Sequence, residues 1–212
     1  MNTTKNLSVL ILIIFSSLLF GQKKYIVDIG SGISFPTGPN NFKQYWKTGY
    51  GFTGGLGITP KENIHALLDF EYTDFSFNND KFTNDLMNRL INITNNNCKV
   101  LSLAAKLKFD LKKTESTLFP FIYFGAGWMR YTTKNLTVYF NDQSIQLGGE
   151  SKNLLILLAG GGLEYYLNEL LDLTLELNYR YGSIDNYRID FLPIKLGLIF
   201  KVDLPHIKLW WW

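Results

Sequence analysis

Cysteine, histidine and long apolar runs are scarce in this chain, and each scarcity removes a class of function. The one cysteine, Cys98, has no partner for an intramolecular disulfide and reads as a small buried hydrophobe. No cysteine stands just after the first apolar stretch, so a lipid-modified N-terminus is not expected. The two histidines, His65 and His206, stand alone, with no Cys-x-x-Cys or His-x-x-x-His spacing, so neither a metal nor a cofactor is expected. The formal net charge is only +3 and no basic run or basic helix occurs, which argues against a nucleic-acid partner. The glycines sit in extended segments rather than between a strand and a helix, so no phosphate loop is formed. A single apolar stretch covers 7–20, interrupted only by Ser8, Ser16 and Ser17. It falls short of the roughly 20 residues that a helix needs to cross a bilayer. With Lys5 ahead of it and the small residue Gly21 behind, 1–22 is expected to be a signal peptide. There is no low-complexity tract and no helical repeat.

What the chain does have is aromatic residues and alternation. It carries 16 Phe, 12 Tyr and 5 Trp. Positions 173–181 read Leu-Thr-Leu-Glu-Leu-Asn-Tyr-Arg-Tyr, apolar at every odd number and polar at every even one. Period two belongs to a β-strand with one apolar and one polar face. Eight such segments follow the leader, at 24–35, 50–59, 64–77, 99–110, 119–131, 153–166, 172–182 and 191–202. Most exceed the usual globular strand of about 5–6 residues and reach the about 9–11 that a tilted membrane strand requires. Long connections at 36–49, 78–98 and 132–152 alternate with shorter ones at 60–63, 111–118 and 167–171, and 183–190 is intermediate. Membrane barrels show this sorting, with short turns at one end and long loops at the other. The expected fold is therefore all-β: an eight-stranded antiparallel up-and-down transmembrane β-barrel over 23–202. Within the second long loop, Leu86 with Leu90 and Met87 with Ile91 predict a short helix capped by Thr83 or Asn84. Within the third, Leu136, Val138 and Phe140 alternate toward Asn141-Asp142, and Ile145 and Leu147 alternate back, as in a hairpin.

The alternation assigns faces. Leu101, Leu103, Ala105, Leu107 and Phe109 oppose Val100, Ser102, Ala104, Lys106 and Lys108. Lipid selects the apolar set, because Lys or Arg at the bilayer midplane costs about 2–4 kcal/mol. The lumen is then expected to hold Asp28, Asp69, Glu71, Glu164 and Glu176 against Lys106, Lys108, Arg180, Lys195 and Lys201. Buried charges of nearly balanced sign predict an ion-pair and hydrogen-bond network, in a barrel only wide enough for side chains to fill. Gly30, Gly32, Gly55, Gly57, Gly125, Gly127, Gly160 and Gly162 fall on inward positions and leave room for the longer groups. Tyr25, Phe35, Tyr50, Phe75, Phe119, Trp128, Tyr131, Tyr165, Tyr166, Tyr179 and Tyr181 are candidates for interfacial girdles. Period two alone does not separate inside from outside. A soluble lipid-binding barrel would present the same alternation with its apolar face inward.

The chain resembles the small bacterial outer-membrane β-barrels, the group that includes the transmembrane domain of outer membrane protein A. The carriers are Tyr-Ile-Val-Asp-Ile-Gly-Ser-Gly-Ile-Ser-Phe-Pro-Thr-Gly at 25–38, Tyr-Gly-Phe-Thr-Gly-Gly-Leu-Gly-Ile at 50–58 and Phe-Pro-Phe-Ile-Tyr-Phe-Gly-Ala-Gly at 119–127. A fourth is the last strand, Lys195-Leu-Gly197-Leu-Ile-Phe200-Lys-Val202, which looks like the terminal-strand assembly signal of such barrels. The resemblance implies an outer-membrane location, contact with membrane lipids and lipopolysaccharide, and delivery by the outer-membrane assembly machinery. The chain departs from that pattern by continuing past the strand as a Trp-rich tail at 203–212. Outer-membrane lipid A deacylases use a His and a Ser two apart. Here Leu67 stands two after His65, so no catalytic residue is expected, and His65 reads as a lumen residue near a turn. The reading is a structural, anchoring or loop-interaction role with a closed polar lumen. The rivals are a narrow passive channel for small solutes and the soluble lipid carrier.

Overall fold

Eight alternating segments do form strands, and hydrogen-bonding between the first and last closes them into a barrel. The computed structural model describes residues 24–85, 92–94, 97–111, 117–134, 136–140, 143–185 and 187–202. The expected signal peptide at 1–22, the tail at 203–212 with His206, and 86–91 of the expected loop helix lie outside them. In chain order the elements are β1 (Lys24–Gly38), α1 (Asn40–Tyr45), β2 (Trp46–Lys61), β3 (Ile64–Phe77), α2 (Asn79–Asp85), β4 (Asn92–Thr94), β5 (Asn97–Asp110), β6 (Leu118–Thr133), β7 (Leu136–Phe140), β8 (Gln143–Leu147), β9 (Ser151–Asn168), β10 (Leu171–Ile184) and β11 (Tyr187–Val202). The barrel order is β1-β11-β10-β9-β6-β5-β3-β2, every pair antiparallel. The closing seam runs from Tyr25↔Val202 to Gly38↔Asp190. The remaining strands form a separate sheet, β4-β7-β8. Its β7–β8 pair is the hairpin expected from alternation, joined on the other side by β4.

The strands run further than alternation alone indicates, and the connections shrink accordingly. The expected long loop at 36–49 is reduced to 39–45, most of it α1. The connection at 183–190 shortens to the step between Ile184 and Tyr187, where Asp185 adopts φ 48°, a left-handed backbone that short polar Asp tolerates. Only two of the four connections at this end are therefore long. At the opposite, terminal end, where β1 begins and β11 finishes, β9 and β10 join through Glu169 and Leu170, with Asn168 Oδ1 accepting from the Leu170 amide at 2.9 Å. Helix α2 starts at Asn79, earlier than the expected caps Thr83 and Asn84. Asn78 Oδ1 accepts from the Lys81 amide at 3.4 Å, a side chain reaching the third helical residue.

The pleat sends each strand's apolar set outward. Leu56, Leu155 and Leu196 are 65, 72 and 55% exposed, whereas Asp69, Lys106 and Arg180 are 1–2% exposed. Leu175 and Leu177 face outward on β10, while Glu176 and Arg180 face inward. Large apolar side chains exposed on every barrel strand are not what a soluble monomer presents, where contiguous apolar patches stay small. The cylinder is thus inverted relative to a soluble lipid carrier, with hydrocarbon-compatible side chains outside. Close curvature of the wall requires glycine at some inward positions. A Cβ at Gly162 would stand 2.7 Å from the Phe121 ring, and one at Gly197 would stand 2.9 Å from Thr174 Oγ1.

Candidate functional site in the barrel lumen

The inward faces stack into three layers, and the middle one is ionic. Arg180 on β10 lies diametrically across the ring from β3, yet its guanidinium reaches two β3 carboxylates. Its Nη2 is 2.6 Å from Glu71 Oε2 and 3.1 Å from Asp69 Oδ2. Nη1 donates to Ser102 Oγ on β5 at 2.7 Å, and Nε to Asn178 Oδ1 at 3.2 Å. The side chain is a crossbar, and the planar five-donor fork of arginine is what lets one group serve four acceptors. Lys195 Nζ lies 3.0 Å from Glu71 Oε2 and 3.6 Å from Glu176 Oε2. Lys106 Nζ lies 3.4 Å from Asp69 Oδ1, 3.6 Å from Glu176 Oε1 and 3.9 Å from Asp28 Oδ2. Neutral groups complete the layer. Tyr123 donates to Glu176 Oε2 at 3.0 Å, Thr53 to Asp69 Oδ1 at 3.3 Å and Thr73 to Glu71 Oε1 at 3.3 Å. Each cation bridges at least two carboxylates, which offsets the several kcal/mol that each ion loses on leaving water.

Of the ten residues assigned to the lumen from alternation, seven meet in this layer: Asp28, Asp69, Glu71, Lys106, Glu176, Arg180 and Lys195. Three lie nearer the terminal end. Lys108 pairs with Glu164 and sits 3.6 Å from Asp110 Oδ1. Lys201 pairs with Asp172 at the rim, where its side chain is 23% exposed. His65, beside the β2–β3 turn, links three strands. Its Nε2 is 2.7 Å from Asp110 Oδ2 on β5 and its Nδ1 is 3.0 Å from Thr59 Oγ1 on β2. This chain of hydrogen bonds ties β2, β3 and β5 together at their terminal ends. Asp110 and Asp172 were missed in the sequence, being the polar ends of strands whose apolar neighbours carry the pattern.

The loop-end layer is apolar, which the expectation of a polar lumen did not include. Phe75, Cys98, Val100, Met129, Leu154, Ile156, Ile189 and Phe191 are buried there, joined by Phe42 from α1. Phe75 meets Phe191 edge-on with ring centroids 5.6 Å apart, and Phe42 meets Phe75 at 5.3 Å. Two expected girdle aromatics belong to this interior instead: Phe75 is fully buried and Tyr131 is 5% exposed. Their parity is inward, and aromatic character does not override parity. A usable signal was present in β9. Its Leu-Leu-Ile-Leu-Leu run at 154–158 has no alternation, the mark of a strand apolar on both faces.

No family model and no curated protein sequence matches the chain. Solved structures do, at the level of the fold. A major outer membrane protein from Thermus thermophilus aligns with a TM-score of 0.57 at 11% identity, covering 86% of this chain and 100% of that one. The outer membrane protein OprG from Pseudomonas aeruginosa aligns at 0.53 with 13% identity, covering 85% and 96%. Neisserial surface protein A aligns at 0.50 with 16% identity, covering 86% and 98%. The fold is that of the eight-stranded outer-membrane barrels.

Proposed function

We propose that this chain is an integral protein of the bacterial outer membrane that anchors its loop-end elements at the cell surface, with a closed lumen and no catalysis. The observation that carries this reading is the Arg180 crossbar, which joins opposite walls of the barrel in a layer of paired charges. Above it Phe75 packs edge-on against both Phe42 and Phe191 in the apolar layer. A narrow passive channel needs a continuous wet path, and both layers oppose one. The outward leucines supply contact with membrane lipids and with lipopolysaccharide. On the last strand Phe200 and Val202 face outward while Lys195 and Gly197 face inward. This presents the assembly-signal residues Lys195, Gly197, Phe200 and Val202 on a strand that closes the barrel seam, the arrangement by which the assembly machinery would read them. The non-catalytic part of the reading is supported by the burial of His65, the one histidine among the described residues, whose side chain is 8% exposed against Asp110 in the wall.

The test is conductance of the purified full chain in a planar lipid bilayer. No discrete steps are expected from the wild type. Reproducible single-channel steps would replace this reading with the passive-channel one. Comparing lipid A from cells with and without the protein tests the non-catalytic part, with no change in acylation expected.

A further inference from the structure

Above the apolar layer, at the mouth of the loop end, lies a cavity of about 290 Å³ that takes no part in the lumen network. We propose that it binds one pyranose ring of a neutral glycan. The proposal rests on the reading of the loop end as the cell-surface face. Its floor is Phe42, and its walls include Trp46, Phe77 and Tyr187, with Asn41 and Arg188 at the rim. The rings brace one another. Trp46 meets Phe77 edge-on at 5.2 Å and is tilted on Phe42 at 6.3 Å, so the cup is formed before anything enters. A preformed pocket spares the ordering cost of binding.

The chemistry selects the ligand. A pyranose ring has faces of C–H bonds and a rim of hydroxyls. Aromatic faces carry the negative end of a quadrupole and attract the weakly positive C–H face. The rim hydroxyls need fixed donors and acceptors, which the Asn41 carboxamide and the Arg188 guanidinium supply. Arg188 Nε donates to Asp190 Oδ2 at 2.7 Å, Nη2 pairs with the same carboxylate and the guanidinium lies 5.1 Å over the Tyr181 ring, so the group is fixed while half of its side chain stays exposed. The charge at the site is internally neutralised. Buried Asp190 pairs with Arg188, and Lys152, 4.0 Å over the Tyr187 ring, pairs with Glu150 at 2.6 Å. A cationic ligand would meet Arg188 and no carboxylate among the described lining residues. A strongly anionic one would compete with Asp190. The volume is at the lower end of small-ligand pockets, roughly 300–1,000 Å³, the scale of one substituted ring rather than of an acyl chain.

The experiment takes the full chain, folded in detergent micelles, to a printed array of neutral hexose and N-acetylhexosamine oligosaccharides, followed by calorimetry on the best binder. Saturable binding that persists at high salt is expected. Trp46→Ala should weaken it at least tenfold and Arg188→Met severalfold, while Trp128→Phe, on the outer wall, should leave it unchanged. Heat-modifiable gel mobility shows that each variant is folded. Absence of binding to every neutral glycan by folded protein would overturn the proposal. So would binding restricted to sulfated glycans and lost at high salt, preference for an aromatic peptide, or full affinity in Trp46→Ala. Labelling of Lys47→Cys in intact cells with an impermeant thiol reagent separates the two readings. Labelled cells without glycan binding sink the glycan site alone, and unlabelled cells sink the surface-anchor reading beneath it.

Discussion

The middle and the loop end of the lumen are built on the same strands and filled by opposite means. In the middle, few long charged groups reach across the ring to several partners each, as Arg180 does to Glu71, Asp69 and Ser102 while also holding Asn178 on its own strand. At the loop end many apolar groups, such as Phe75, Phe191 and Met129, each touch near neighbours. The first arrangement is directional and low in tolerance, because any missing partner strands a buried charge. The second is non-directional, and its cost on mutation follows the volume removed. Where the barrel must be crossed, charge does it. Where it must be capped, packing does it, with α1 contributing Phe42.

The sharpest way to break this contrast is to remove the crossbar. Arg180→Met should cost about 4–5 kcal/mol, since it leaves Glu71 and Asp69 buried with reduced compensation. Urea unfolding in detergent micelles measures it, and a loss below about 1 kcal/mol would place the layer no higher than a surface pair. Adding Glu71→Gln to that variant should restore part of the loss, because neighbouring sites in one network couple. In the apolar layer, Phe191→Ala should cost about 3–4 kcal/mol with no such rescue by any single polar change. The adjacent pair Leu154 and Leu155 sharpens the inside–outside difference, being 1% and 72% exposed. Leu154→Ala should cost about 2–3 kcal/mol by leaving a cavity. Leu155→Ala should cost under about 1 kcal/mol, because lipid tails fill the space as readily as leucine does. The smallest effect belongs to Glu150→Gln at the exposed Glu150–Lys152 pair, about 0–0.5 kcal/mol and vanishing in high salt. Salt should leave the Arg180 layer's contribution unchanged, and a parallel fall in both would contradict its burial.

Much of the fold was legible because strand parity is a local property. The odd–even pattern of 173–181 already separates Leu175 from Glu176, whatever the rest of the chain does. Strand ends were less legible. Trp46 to Gly49 belongs to β2 only because β3 pairs with it, with a register shift between those two residues. The apolar layer was hidden by the expectation of a polar lumen, and residues such as Phe75 and Tyr131 look the same on either face of a barrel wall.

Alternation, which follows from the two-residue pleat of an extended backbone, determined by itself that eight two-faced strands would form and which residues share a face. It did not determine which face meets hydrocarbon, since an inside-out cylinder has the same pattern. Nor did it determine that Arg180 would span the ring to Asp69 and Glu71, or that α1 would seat Phe42 in the mouth. Those outcomes depend on closure and cross-ring register, which bring Arg180 and Asp69, 111 positions apart in the chain, to 3.1 Å, and no local pattern carries distances of that kind.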